Sequence, residues 1–119
     1  MTQTLPPDLG TDRLAEILEQ LPVAVTVIDL DGRMLYYNEY GGRHLDRKPE
    51  YLGGDIRDCH QKDESTVKID RMLTAFKDGR REAFAYEAAR YGGTIRVTFV
   101  PYETEGRLIG CIQTVTFKD

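Results

Sequence analysis

The amino-acid sequence predicts an α+β domain: a five-stranded antiparallel sheet, short helices packed on one of its faces, and a further helix at the N-terminus. Three observations carry this. A β-branched run, Val23–Ile28, meets a second strand-like run, Arg33–Tyr37, across Asp31-Gly32, a pair suited to the positive backbone angles of a tight hairpin turn. An amphipathic segment with a helical apolar period occupies Asp63–Lys77. Three more strand-like runs, Glu82–Arg90, Thr94–Tyr102 and Arg107–Phe117, follow with turn signals between them. Two strand groups around a helical middle point to one sheet with a single face covered by those helices.

A chain of 119 residues has room for one continuous hydrophobic core and not for two. Hydrophobic residues at 40% and charged residues at 30% give the balance of a folded soluble domain. The formal net charge of −4 offers no long-range attraction to phosphate backbones or anionic lipid, which argues against nucleic-acid and membrane-surface binding. Arg80-Arg81 is a pair, not a basic patch. No stretch approaches the roughly 18 apolar residues of a membrane span, and residues 1–10 lack the basic start and apolar stretch of a secretion signal. No membrane insertion and a cytoplasmic location are therefore expected. Two cysteines, Cys59 and Cys111, are too few for a disulfide scaffold and lack the paired spacing of a zinc site.

Taken in order, residues 1–10 carry two prolines and a glycine without an apolar period, and form a flexible lead-in to a domain spanning 11–119. From Thr11, Leu14, Ile17, Leu18 and Leu21 recur at helical spacing, with Asp12 and Glu16 early, where carboxylates favour a helix N-terminus; Pro22 ends that helix. After the hairpin, the side-chain oxygen of Asn38 is suited to cap a short helix through Leu45. Residues 46–62, with Pro49, Gly53 and Gly54, read as short helical turns and loop. In Asp63–Lys77 the apolar face is Ile69, Met72, Leu73 and Phe76, Glu64 and Lys68 are spaced for an exposed ion pair, and Gly79 closes the helix. The last three strands, separated by Gly92-Gly93 and by Glu103–Gly106, form an antiparallel meander.

This order resembles the PAS family over about Asp12 to Asp119. The residues that carry the likeness are Leu21-Pro22-Val23-Ala24-Val25 entering the first strand, Asp29-Leu30-Asp31-Gly32-Arg33 in the first turn, and Tyr37-Asn38 ending the second strand. Tyr51-Leu52-Gly53-Gly54 looks like the family's loop before its long helix, and Gly106–Gly110 leading to Thr114-Val115-Thr116 looks like its last strand. The resemblance implies the strand order 2-1-5-4-3, with the last strand in the middle of the sheet. A narrower likeness lies in Asp58-Cys59-His60 ahead of the helix ending Phe76-Lys77-Asp78-Gly79-Arg80; it is similar to a PAS subgroup with a Cys-His-Pro run, though Gln61 stands here in place of the proline.

His60 lies near where haem-binding PAS domains place an axial histidine, and a neutral imidazole suits iron; the other reading is a loop histidine that caps the helix or faces solvent. His44, in a short polar helix, is expected at the surface. Flavin-binding PAS photosensors use a cysteine in an Asn-Cys-Arg-Phe-Leu-Gln run, but Cys59 is flanked by Asp58 and His60 and the arginine for the flavin phosphate is missing, so flavin is not expected. Met72, Phe76, Val97, Phe99, Ile109, Cys111 and Val115 are candidates to line a cavity between helix and sheet, with Cys59, His60 and Gln113 as its polar members; the alternative is a filled core. Alternation alone does not fix which strand face points inward, because a one-residue slip reverses it.

There is no Gly-x-Ser-x-Gly, His-Glu-x-x-His, phosphate-binding glycine loop or dinucleotide fingerprint, and the adjacent Cys59 and His60 side chains diverge without a third orienting group. No enzymatic activity is expected. The family resemblance implies a sensory or regulatory module that binds a small ligand or partner and signals to an effector, as in two-component regulation. A homodimer built partly by Leu14, Ile17, Leu18 and Leu21 is expected, because that apolar stripe has no strand of its own to cover; the alternative is that the helix packs back on its own sheet. The alternatives are a ligand-free dimerisation or protein-interaction module and a haem-based gas or redox sensor using His60. The sequence holds no kinase, cyclase or DNA-binding segment, and it stops at Lys118-Asp119 where the family usually continues into a connecting helix. An excised domain, or one that acts on a partner in trans, is expected.

Overall fold

The structure, a computed structural model, describes residues 10–45, 47–59, 63–90 and 92–118. Its elements are α1 (Thr11–Gln20), β1 (Ala24–Asp29), β2 (Met34–Tyr37), α2 (Glu39–His44), two 3₁₀ turns (Pro49–Tyr51 and Ile56–Cys59), α3 (Asp63–Lys77), β3 (Phe84–Arg90), β4 (Gly93–Thr104) and β5 (Arg107–Lys118). The lead-in at residues 1–9 lies outside the described residues. One antiparallel sheet runs in the order β2-β1-β5-β4-β3, so the last strand lies between the first and the fourth.

The β1–β2 turn forms because Asp29 organises its own backbone. Its Oδ1 accepts the amides of Asp31 and Arg33, both at 2.9 Å, while Gly32 takes φ +89°. The centre of the sheet depends on a second glycine. Gly110 pairs with Asp29 across the β1–β5 ladder, and a Cβ there would sit 2.0 Å from the Ile28 carbonyl oxygen, so any side chain would force the two central strands apart.

Alternation divides the sheet into two faces. Ala24, Thr26 and Ile28 of β1, Ile95, Val97 and Phe99 of β4, and Cys111, Gln113 and Val115 of β5 are all buried. Against them pack Leu45 after α2, Ile56 of the second 3₁₀ turn, and Ile69, Met72, Leu73 and Phe76 of α3, which supply the apolar face expected of that helix. The edge of β2 is covered without a regular strand. Gly53 donates to the Met34 carbonyl, Met34 to that of Gly54, and Ile56 to that of Gly32, at 2.7–2.8 Å.

Two expectations need correction. The last turn is tighter than Glu103–Gly106: only Glu105 (φ 52°) and Gly106 (φ 75°) lie in the left-handed region, so β4 and β5 extend to Thr104 and from Arg107. A register shift then opposes Tyr102 to Gly110 and Glu103 to Leu108. Leu108 therefore packs on the core, and Ile109, the expected lining residue, is half-buried outside that cluster.

Helix α1 is joined to its domain by polar contacts. Asn38 Nδ2 donates to the carbonyls of Leu18 (2.8 Å) and Val23 (2.9 Å). Glu19 accepts the Tyr36 hydroxyl and, at 2.8 Å, the Glu39 amide. Leu14, Ile17, Leu18 and Leu21 remain 37–46% exposed, so the helix does not spend its apolar stripe on its own sheet. Among the described residues no helix is long and apolar enough to cross a membrane.

Candidate functional site

Three polar residues of the interior, Thr26, Arg47 and Gln113, meet at one place on the helix-covered face. Thr26 on β1 and Gln113 on β5 are opposite each other in the ladder, and both are buried. Each interrupts an apolar strand at an inward position, where a polar side chain needs a partner. Arg47 supplies one. Its amide donates to the Leu45 carbonyl at 2.9 Å, a sharp reversal after α2 that turns the chain into the core. Its Nε then donates to Thr26 Oγ1 at 3.1 Å and its Nη2 to Gln113 Oε1 at 2.9 Å, with the residue only 5% exposed. A buried guanidinium costs several kcal/mol in desolvation unless its donors are matched, so its position is held by these bonds.

The cluster lies within a row that crosses the sheet. Tyr37, Thr26, Gln113, Phe99 and Phe84 are successive cross-strand neighbours from β2 to β3. Phe84 meets Phe76 of α3 edge-on with ring centroids 5.4 Å apart, so the row ends on the long helix. The arrangement links the loop after α2, the two central strands and α3 through packed groups.

A second cluster fastens the helical layer to the first turn. Arg57 donates from Nε to Asp55 Oδ1 (2.8 Å), from Nη2 to Asp55 Oδ2 (2.9 Å) and to the Asp31 carbonyl (2.7 Å), and from Nη1 to Asp70 of α3. The hydrogen bonds from Arg57 hold the Asp55 carboxyl below its usual range, and the carboxylates raise Arg57 in turn.

Of the residues singled out by sequence, Met72, Phe76, Val97, Phe99, Cys111 and Val115 come together in the buried core, with Gln113 beside them. Cys111 lies next to Ile28 in the ladder, and burial pushes its thiol up to about 12, which leaves it protonated and unreactive. Cys59 closes the second 3₁₀ turn, but its side chain and the whole of His60 lie outside the described residues. The flavin and haem readings attached to them gain no geometry here. His44 is exposed, its ring 4.2 Å from that of Tyr40. The Glu64 side chain is outside the described residues, and Lys68 lies over the ring of Tyr86. Among the described residues no group of three or more His, Cys, Asp or Glu is placed to hold a metal ion. Sequence reasoning missed Thr26 and Arg47. The signal was a single threonine in Ala24–Ile28; nothing around Arg47 marks it.

The family model described as PAS domain matches residues 14–117. This chain belongs to the PAS domain family. Solved structures show the same fold at low identity. The C-terminal domain of a Streptococcus mutans protein superposes with a TM-score of 0.76 and 21% identity, over 98% of this chain and 92% of that one. The PAS domain of Bordetella pertussis BvgS gives 0.72 and 19%, over 91% and 85%. A sensory box sensor histidine kinase from Vibrio cholerae gives 0.65 and 20%, over 88% of each chain. No curated protein matches the sequence.

Proposed function

We propose that this chain is a sensory or regulatory PAS module that binds a small ligand on its helical side, acts as a homodimer through α1, and signals to an effector in place of catalysing a reaction. The observation that carries the reading is the buried Arg47, bonded to Thr26 on β1 and to Gln113 on β5. A ligand that displaces the loop after α2 must exchange those bonds, and the two central strands feel the exchange. β1 follows α1, and α1 is held at its end by Asn38 and Glu19, so a shift of β1 reaches the exposed apolar stripe. A groove of about 410 Å³ along Arg13, Glu16, Ile17, Gln20 and Leu21 offers the second copy a seat. Histidine-kinase sensor proteins among the structural neighbours supply the precedent for an effector.

Native mass spectrometry and absorbance of the protein as purified test the ligand. The expected result is a stoichiometric bound small molecule, lost from Arg47→Met while the folded dimer persists. A protein free of ligand, with an Arg47→Met variant unchanged in stability and oligomeric state, would overturn the reading in favour of a ligand-free interaction module.

A further inference from the structure

Between α3 and the edge strand β3 lies a groove of about 250 Å³ that the Arg47 cluster does not use. Its floor is Met72 and Phe99, both buried, its wall is Phe84 and Tyr86, both half-buried, and its rim is Lys68 and Arg71. Residues 68, 71 and 72 fall on one helix face by their three- and four-residue spacing, so both cations stand over the same apolar floor. Lys68 Nζ lies 4.2 Å from the Tyr86 ring centroid, which keeps its ammonium at the groove. Arg71 has no ion-pair partner among the described residues. Asp70, its neighbour in sequence, pairs with Arg57, and Glu87 of β3 pairs with Lys118. In a chain of net charge −4, this groove is locally positive.

We propose that the groove binds a small aryl or alkyl monocarboxylate, with its apolar body on Met72, Phe84, Tyr86 and Phe99 and its carboxylate on Arg71 and Lys68. An uncharged apolar ligand would leave the two cations unused, and a compact inorganic anion would leave the aromatic wall unused. A guanidinium donates two parallel hydrogen bonds to a carboxylate, and the volume suits a body of one ring or a short chain. Phe99 is the cross-strand neighbour of Gln113, so a seated ligand abuts the interior row.

The test is amide NMR titration of the full chain with phenylacetate, hexanoate, phenylacetamide and acetate. Phenylacetate and hexanoate should saturate with dissociation constants of about 0.1–1 mM, in keeping with ligands of about ten heavy atoms. Their shifts should centre on residues 68–72 and 84–86. Phenylacetamide, acetate and the exposed-site variant Arg71→Gln should each weaken binding by about tenfold. Equal binding of the acid and the amide, indifference to Arg71→Gln, or no saturation below about 10 mM would overturn the proposal. Shifts centred on Thr26, Arg47 and Gln113 would overturn it too, while favouring the interior site of the proposed function.

Discussion

Asn38 joins three elements with one side chain. Its Oδ1 accepts the Gly41 amide at 3.0 Å as the cap of α2 and the Val25 amide of β1 at 2.9 Å, while its Nδ2 holds the end of α1. Losing a helix cap alone costs about 1 kcal/mol. Here the residue is fully buried, and Asn38→Ala leaves two amides and two carbonyls to find other partners, so the expected loss is about 3 kcal/mol. His44→Ala, at an exposed ring contact, should cost about 1 kcal/mol or less. Urea melts of the two variants make the comparison, and equal midpoints would refute the assigned role of Asn38. The cap was legible in the sequence because a strand ended on an asparagine before a short helix. Its other three bonds were not, because they join residues 13–20 positions apart that no local pattern connects. Arg47 was hidden for a similar reason: its burial depends on where Thr26 and Gln113 fall in a ladder between distant strands.

At the scale of elements, the sequence was most readable where a period or a turn residue was strong. α3 matches its apolar period from Asp63 to Lys77, and the Asp31-Gly32 hairpin lies where its turn chemistry put it. The irregular backbone of residues 53–56 that covers β2 was not readable, since it pairs through main-chain groups and leaves no side-chain pattern. Helix α1 is the element whose apolar face stays uncovered, with Leu18 at 38% exposure. In a symmetric dimer built on that stripe, Leu18→Glu acts twice, and losing about 1.5 kcal/mol at each copy raises the dimer dissociation constant by about 100-fold. Val67→Glu, at 43% exposure on α3, should leave it unchanged. Sedimentation equilibrium distinguishes the outcomes: a monomer at all concentrations, or a dimer indifferent to Leu18→Glu, would remove the assigned interface.

For the whole molecule, groups at opposite ends of the titration scale bound the pH range of full stability. On the acid side, the hydrogen bonds from Arg57 lower Asp55 below its ordinary 3.8, so its contribution is present above that value and is lost as pH falls through the lower folded value. On the alkaline side, burial and the contact with Glu19 raise Tyr36, and burial alone pushes Cys111 up from 9.0 to about 12. A group raised in the folded state contributes fully below its unfolded value. For Cys111 that contribution is intact below pH 9.0 and declines as pH climbs toward about 12, because the unfolded chain releases a thiol proton that the folded core retains. Cys111→Ala removes this proton from the balance. It lowers the melting temperature at pH 7 through the small cavity it leaves, but the further fall between about pH 8 and pH 10.5 should be smaller than in the wild type. Thermal melts of both proteins across that interval give the two slopes. Parallel slopes would mean that the thiol ionises as easily in the folded protein as in the unfolded chain, a result incompatible with its burial in the core on β5.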